Sequence, residues 1–251
     1  MNEAKLFNTE LSVISLDEIS EKLVTSKNKS VAVCNANSVV RGARSKRIAR
    51  ILNSLDYKVC DGYPLSRAIN TLYGLNQERV DGYNLFHSVI KSGIKKNTSH
   101  FFFGNIESVV LKMIKELESL YPEIKISGYY CPPMLNIDKL KTIENKNIIN
   151  KAEADIIWIS LGFPKQEQFM EYVQEEKNNF NILGVGNVFD WVAKTKYKAP
   201  NFMADNGFEW LFRFSQEPFR LARRYLIDNT LFIIFFTLQK LKFKFTKDHK
   251  I

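Results

Sequence analysis

Six short apolar runs, at 30–34, 57–60, 100–103, 124–127, 156–159 and 180–183, end in or run directly into a turn residue: Asn35, Asp61, Gly104, Gly128, Gly162 and Gly184. Stretches with helical periodicity separate them, at 39–55, 64–72, 85–94, 108–121 and 137–152. A short strand at 11–14 and a helix at 16–23 precede the series. Strands alternating with helices predict an α/β fold built on a mostly parallel, doubly wound sheet with helices on both faces. In such a sheet ligands collect beyond the carboxyl ends of the strands, so the six turn residues mark the predicted active edge. The stretch from Asp155 to Gln168 shows the unit most clearly. Ile156-Ile157-Trp158-Ile159 breaks at Gly162 and Pro164, and Lys165, Gln166 and Glu167 open a helix.

Three widely spaced cysteines, Cys34, Cys60 and Cys131, contain no CxxC pair, so neither a disulfide framework nor a zinc site is expected. The first twenty residues lack an apolar signal-peptide core, which predicts a cytoplasmic chain. The net charge of +9 is uneven, because residues 196–251 hold eleven Lys or Arg against five Asp or Glu. The expected division is therefore an α/β domain over 1–200 and a basic helical appendage over 201–251. Arg220, Arg223 and Arg224 share one face of a helix in that appendage. Beyond them the run LFIIFF at 231–236 and the Lys240, Lys242, Lys244 alternation suit contact with an anionic membrane surface, and packing on the body is the other reading. The run is too short to span a bilayer. The Arg-rich helix at 39–55 lacks interleaved aromatics and reads as a solvated face, so no nucleic acid is expected as partner.

Asp61 is the leading candidate for chemistry. A carboxylate at a strand end before glycine can take a proton from a substrate hydroxyl, and an Asp-Gly turn without catalytic use is the alternative. Asn35 can orient a sugar or phosphate, or simply cap a helix. Gly184-Val185-Gly186 gives GxG after a strand, but the third glycine of a dinucleotide fingerprint is missing. No GxxxxGK[ST] occurs, and His87, His100 and His249 are scattered singly. Glu153-Ala154-Asp155 only approximates a metal-binding acid pair, so no metal site and no cofactor are expected.

Six segments in order carry a resemblance. They are Asn35; Cys60 to Leu65; Glu78-Arg79-Val80-Asp81-Gly82; Leu161 to Glu167; Gly184 to Asp190 with Ala199-Pro200; and Glu209 to Arg213 with Glu217-Pro218 and Arg220 to Tyr225. Together they resemble the WecG/TagA/CpsF family of bacterial glycosyltransferases (glycosyltransferase family 26), over about residues 11–225. The resemblance implies a Rossmann-like enzyme that moves a sugar, with inversion, from a UDP-sugar to a sugar on polyprenyl diphosphate. It implies peripheral association with the inner face of the cell membrane. N-acetylmannosamine transfer to N-acetylglucosaminyl-diphospho-undecaprenol is the favoured expectation. Another hexose or a uronic acid as donor is the second, and a non-catalytic binder of sugar nucleotide or lipid phosphate the third. On this resemblance Asp61 is the general base. Arg79 and the edge around Gly186 stabilise the leaving UDP, Gln166 and Asp190 hydrogen-bond the nucleotide or donor sugar, and Arg213, Arg220, Arg223 and Arg224 hold the lipid diphosphate. Val33, Asn84, Lys194 and Lys198 depart from the family pattern.

Overall fold

The computed structural model describes residues 2–175 and 178–248, with residues 224 and 246–248 described by their backbone alone. The chain opens with an antiparallel hairpin, β1 (Glu3–Leu6) and β2 (Thr9–Ser12), turned at Phe7 with φ of 57°. The strand expected at 11–14 is thus the second arm of a hairpin, set earlier in the chain. Helix α1 (Leu16–Thr25) follows, capped by Ser15. The sheet is then built by β3 (Ser30–Cys34) and β4 (Tyr57–Cys60), joined through α2 (Ala36–Arg44) and α3 (Lys46–Ser54).

The single helix expected over 39–55 is two, because the Ser45 side chain accepts a hydrogen bond from the Ile48 N–H and starts a new helix. After β4 come α4 (Tyr63–Tyr73), α5 (Gly82–Lys95), β5 (Ser99–Gly104), α6 (Glu107–Leu120) and β6 (Lys125–Tyr130). The helix expected over 137–152 is likewise split, into α7 (Ile137–Leu140) and α8 (Ile143–Asn150), with Thr142 accepting from the Asn145 N–H at 3.2 Å. Then follow β7 (Ile156–Ser160), α9 (Lys165–Val173), β8 (Asn181–Gly184) and α10 (Val188–Val192).

The six strands β3 to β8 form one wholly parallel sheet in the order β4-β3-β8-β7-β5-β6. Both faces are covered. Ile157, Ile159 and Phe103 point into one core with Phe169 and Leu65, while Ile156, Trp158 and Phe102 point into the other with Phe86 and Val110. Successive strand residues face opposite sides, so a sheet buried twice needs uninterrupted apolar runs, as the sequence has. At the end of β5, Gly104 has φ of 110°, and a Cβ there would lie 2.5 Å from the Ser160 carbonyl oxygen, so the β5 and β7 ends converge only around a glycine.

The C-terminal segment comprises α11 (Asn201–Asp205), α12 (Glu209–Gln216), α13 (Pro218–Arg224), a π-helical turn over Tyr225–Asn229, and α14 (Thr230–Asp248). Helix α14 lies on the body by one face. The Phe7 ring centroid is 5.5 Å from Phe232 and 5.6 Å from Phe235, Tyr73 is 5.1 Å from Phe243, and Gln239 bonds the Phe7 N–H and the Lys5 carbonyl. Packing on the body is therefore part of what the tail does. Its other face leaves Ile234, Leu238, Leu241 and Phe245 exposed. Among the described residues no helix is long and apolar enough to cross a membrane.

Candidate active site

Strands β3 and β4 are register neighbours, Cys34 opposite Cys60, so the residues that come after them emerge side by side. Asn35 caps α2: its side chain accepts from the Ser38 N–H at 3.3 Å, and Ser38 Oγ accepts from the Asn35 N–H at 2.8 Å. The Asp61 N–H donates to the Cys34 carbonyl at 2.7 Å, which fixes the carboxylate beside that cap. Gly62, with φ of 90°, then turns the chain into α4.

Asp61 and Asn35 line a cavity of about 350 Å³ that is closed from the other side by the C-terminal segment, including Glu209, Trp210, Arg213, Tyr225 and Asp228. Burial pushes the Asp61 carboxyl up to about 7, reinforced by the negative charges of Glu209 and Asp81 and moderated by Arg213 and Arg79. A carboxyl at that value is ionised in a substantial fraction of molecules near neutrality and still basic enough to hold a proton.

The surrounding charges are tightly paired. The Arg79 guanidinium lies 3.4 Å from Asp81, 3.2 Å from Asp205 and 3.4 Å from Glu209, and its side chain is largely buried. Asp81 also caps α5 and pairs with Lys198 at 3.4 Å, whose ammonium sits 4.4 Å from the centre of the Tyr83 ring. Arg79 therefore binds α11 and α12 to the β4 edge, and a diphosphate would have to displace carboxylates to reach it. Arg213 is held more loosely, 4.0 Å from Glu209 and 5.5 Å from the centre of the Trp191 ring. It lines the Asp61 cavity and also a second cavity of about 350 Å³ bordered by Asn187, Trp191, Lys196 and Tyr197.

Gln166 is buried at 3 % exposure, with both ends of its amide engaged inside the protein. Its Oε1 accepts from the Gly186 N–H at 3.1 Å, and its Nε2 donates to Glu167 Oε1 at 3.0 Å. Ser160 Oγ donates to the Gly186 carbonyl at 2.7 Å, so the turn after β8 is gripped at both backbone groups. Asn105 continues the network by donating its Nδ2 to Asp190 Oδ2 at 2.9 Å, and Lys196 lies 3.7 Å from Asp190 Oδ1. Gln166 is thus tied to the Gly186 turn, which leads into Asn187 at the border of the second cavity, and Asp190 lies beside Lys196 at its rim.

The remaining arginines divide. Arg220 is ion-paired to Glu217, and Arg223 is exposed on α13. The Arg224 side chain and His249 lie outside the described residues. Asp155 sits at the opposite, N-terminal edge of the sheet, where it accepts from Ser99 and pairs with Lys27. Among the described residues no three or more His, Cys, Asp or Glu are grouped so as to hold a metal ion. Sequence reasoning meets Asp81 and Glu209 within motifs without giving them a role, and does not single out Asn37 and Asp228. An acid immediately before Gly82 at a helix start is the available signal for Asp81, whereas Arg79, which pairs with Glu209, and Asn37, which pairs with Asp228, are far away in sequence.

An open parallel sheet whose strand ends carry a carboxylate of raised proton affinity, flanked by an arginine that lines two adjacent cavities, has the arrangement of a group-transfer enzyme. The chain belongs to the glycosyl transferase WecG/TagA/CpsF family, whose profile matches residues 4–246. It is similar to a protein of Bacillus spizizenii named N-acetylglucosaminyldiphosphoundecaprenol N-acetyl-beta-D-mannosaminyltransferase, with 25% identity over 199 residues that cover 78% of this chain and 76% of that protein. A protein of the same name from Bacillus subtilis is 27% identical over 173 residues, 69% of this chain and 66% of its own length.

Proposed function

We propose that this glycosyltransferase moves N-acetylmannosamine from a UDP-sugar to N-acetylglucosaminyl-diphospho-undecaprenol, in cell-envelope polysaccharide synthesis at the inner face of the membrane. The observation that carries the reading is the position of Arg213, between the cavity of Asp61 and the cavity beside the Gly186 turn. The names of the two Bacillus relatives supply the sugar and the acceptor.

The donor nucleotide then occupies the second cavity, where Trp191 and Tyr197 offer aromatic faces and Lys196 a cation. The acceptor sugar occupies the first. Asp61 takes the proton of the acceptor hydroxyl while that oxygen bonds to the anomeric carbon from the face opposite UDP. The bond from that carbon to the phosphate oxygen breaks with its electron pair, so the configuration inverts. Arg213 faces the negative charge arriving on the diphosphate, where a cation fixed in advance lowers the barrier most. In this proposal no metal takes part in that step. Arg220 and Arg223 on the exposed side of α13 meet the phosphates of the lipid carrier.

The outer face of α14 and the basic charge of the C-terminal segment hold the enzyme at an anionic lipid surface. The deciding experiment incubates the full chain with a panel of UDP-sugars and a short-chain lipid-diphosphate acceptor, and identifies the product by mass and linkage. Turnover with UDP-N-acetylmannosamine and a β-linked product is expected. Turnover confined to another hexose or a uronic acid would overturn the donor assignment. Nucleotide binding with no transfer from any donor would overturn the enzymatic one.

A further inference from the structure

The π-helical turn at Tyr225–Asn229 inverts the usual distribution of side chains. Leu226 is 72 % exposed and Ile227 41 %, while Asp228 is 8 % exposed and turned toward the first cavity. Leu221 and Phe232, on either side of the turn, are buried as apolar residues should be. A single π turn adds a residue to the helix and rotates the residues beyond it, and such turns concentrate at functional sites. Putting a carboxylate inside and two aliphatic side chains outside opposes folding, and conflicts of this kind mark places where function overrides packing.

Asp228 is held there by Asn37, whose Nδ2 donates to its Oδ2 from the first turn of α2. A carboxylate offers about four acceptor positions on two oxygens, and the Asn37 bond uses one. Beyond the pair, the cavity presents Asn35, Asn229 and the rings of Trp210 and Tyr63. Among the described residues its lining also holds three carboxylates, those of Asp61, Glu209 and Asp228, and one arginine, Arg213, with Arg79 paired to Glu209. Its floor therefore disfavours phosphate and suits a neutral polyol. Sugar hydroxyls donate to carboxylates, amides serve them both ways, and aromatic faces cover their C–H surfaces.

We propose that Asp228, positioned by Asn37, reads a hydroxyl group of the acceptor sugar and so selects which sugar is presented to Asp61. The proposal rests on the assignment of the first cavity to the acceptor made above. It places the sugar against the C-terminal segment and leaves the lipid diphosphate to the arginine side.

The test uses the full chain with Asp228→Asn, Asp228→Ala and Asn37→Ala, and compares acceptors lacking one hydroxyl at a time. Asp228→Ala is expected to raise the acceptor KM by roughly tenfold or more, the scale of a lost hydrogen bond to a charged group, with donor KM and kcat little changed. Asn37→Ala should shift the acceptor KM in the same direction by less. One deoxy acceptor should be as poor for the wild type as the full acceptor is for Asp228→Ala, and should suffer no further loss in that variant. A purely structural latch predicts otherwise: a lower melting temperature, donor and acceptor KM rising together, and deoxy penalties equal in variant and wild type. That outcome overturns the proposal. If the wild type transfers no sugar at all, the failure belongs to the proposed reaction. Calorimetric binding of a soluble N-acetylglucosaminyl diphosphate then decides the subsite separately, weaker binding to Asp228→Asn supporting it and equal binding refuting it.

Discussion

Asp61 illustrates how a site can set the strength of a base without a dedicated partner. Its proton is held by burial and by the fields of Glu209 and Asp81, against two arginines. Asp61→Asn should lower turnover by about 10²–10⁴-fold, the usual contribution of a general base, and leave UDP affinity intact in a titration. In the wild type the acidic limb of kcat/KM should fall near pH 7. Glu209→Gln removes one of the charges that raises the carboxyl and releases Arg79 and Arg213 from their partner, so that limb should move to lower pH. An unmoved limb would show that another group controls it. Glu167 has a similar shift, from burial without the neighbouring negative charges that act on Asp61. It is 1 % exposed, burial pushes it up to about 7, and its Oε2 has no hydrogen-bond partner. Because the fold prefers its neutral form, its contribution to stability is complete below about pH 4.5 and declines as pH rises toward 7. Glu167→Gln keeps an acceptor for Gln166 and cannot ionise. Thermal melts should show it equal to the wild type at pH 4 and more stable at pH 8, by a difference on the order of 3 kcal/mol.

At the scale of elements, α14 has two working faces. The inner one, with Phe232 and Phe235 against Phe7, holds the helix on the hairpin, and the outer one is apolar and open. Leu238→Glu with Phe245→Glu should reduce co-sedimentation with anionic vesicles while leaving the melting temperature and turnover of a short-chain acceptor nearly unchanged. Unaltered sedimentation would remove α14 from the membrane contact. The same helix shows where sequence legibility stops. Five of the six sheet strands could be read because burial on both faces demands continuous apolar runs, and Asp61 because it follows one of them; β6, half-exposed at the sheet edge, does not end at Gly128 as expected but runs through it to Tyr130. The tail could not be settled, since LFIIFF suits a lipid surface and a protein surface equally and its protein partner, Phe7, lies at the other end of the chain. Ser45 and Thr142 were hidden for a local reason. A hydroxyl residue inside a periodic stretch fits either a helix interior or a new cap, and only the turn of the chain decides. Arg79 looked available for phosphate because its three carboxylates are spread over residues 81–209.

For the molecule as a whole, the charge of +9 is concentrated in the C-terminal segment that carries the open face of α14. Vesicle binding should therefore weaken as salt is raised and fall sharply when anionic lipid is replaced by zwitterionic lipid; salt-independent binding would mean that apolar contact alone suffices. The strand order carries a different consequence, in time. Strand β8, the last of the sheet in the chain, lies between β3, the first, and β7. Until residues 181–184 arrive, the sheet exists as two separate parts, β4-β3 and β7-β5-β6, each with a bare inner edge able to pair with the wrong strand. Closing so distant a pairing is slow, because the loop entropy is lost before the contact forms. Pulse-labelled hydrogen exchange during refolding should find β3 and β8 amides gaining protection together; protection of β3 well ahead of β8 would contradict it. On this expectation a four-residue strand decides when the two halves become one sheet.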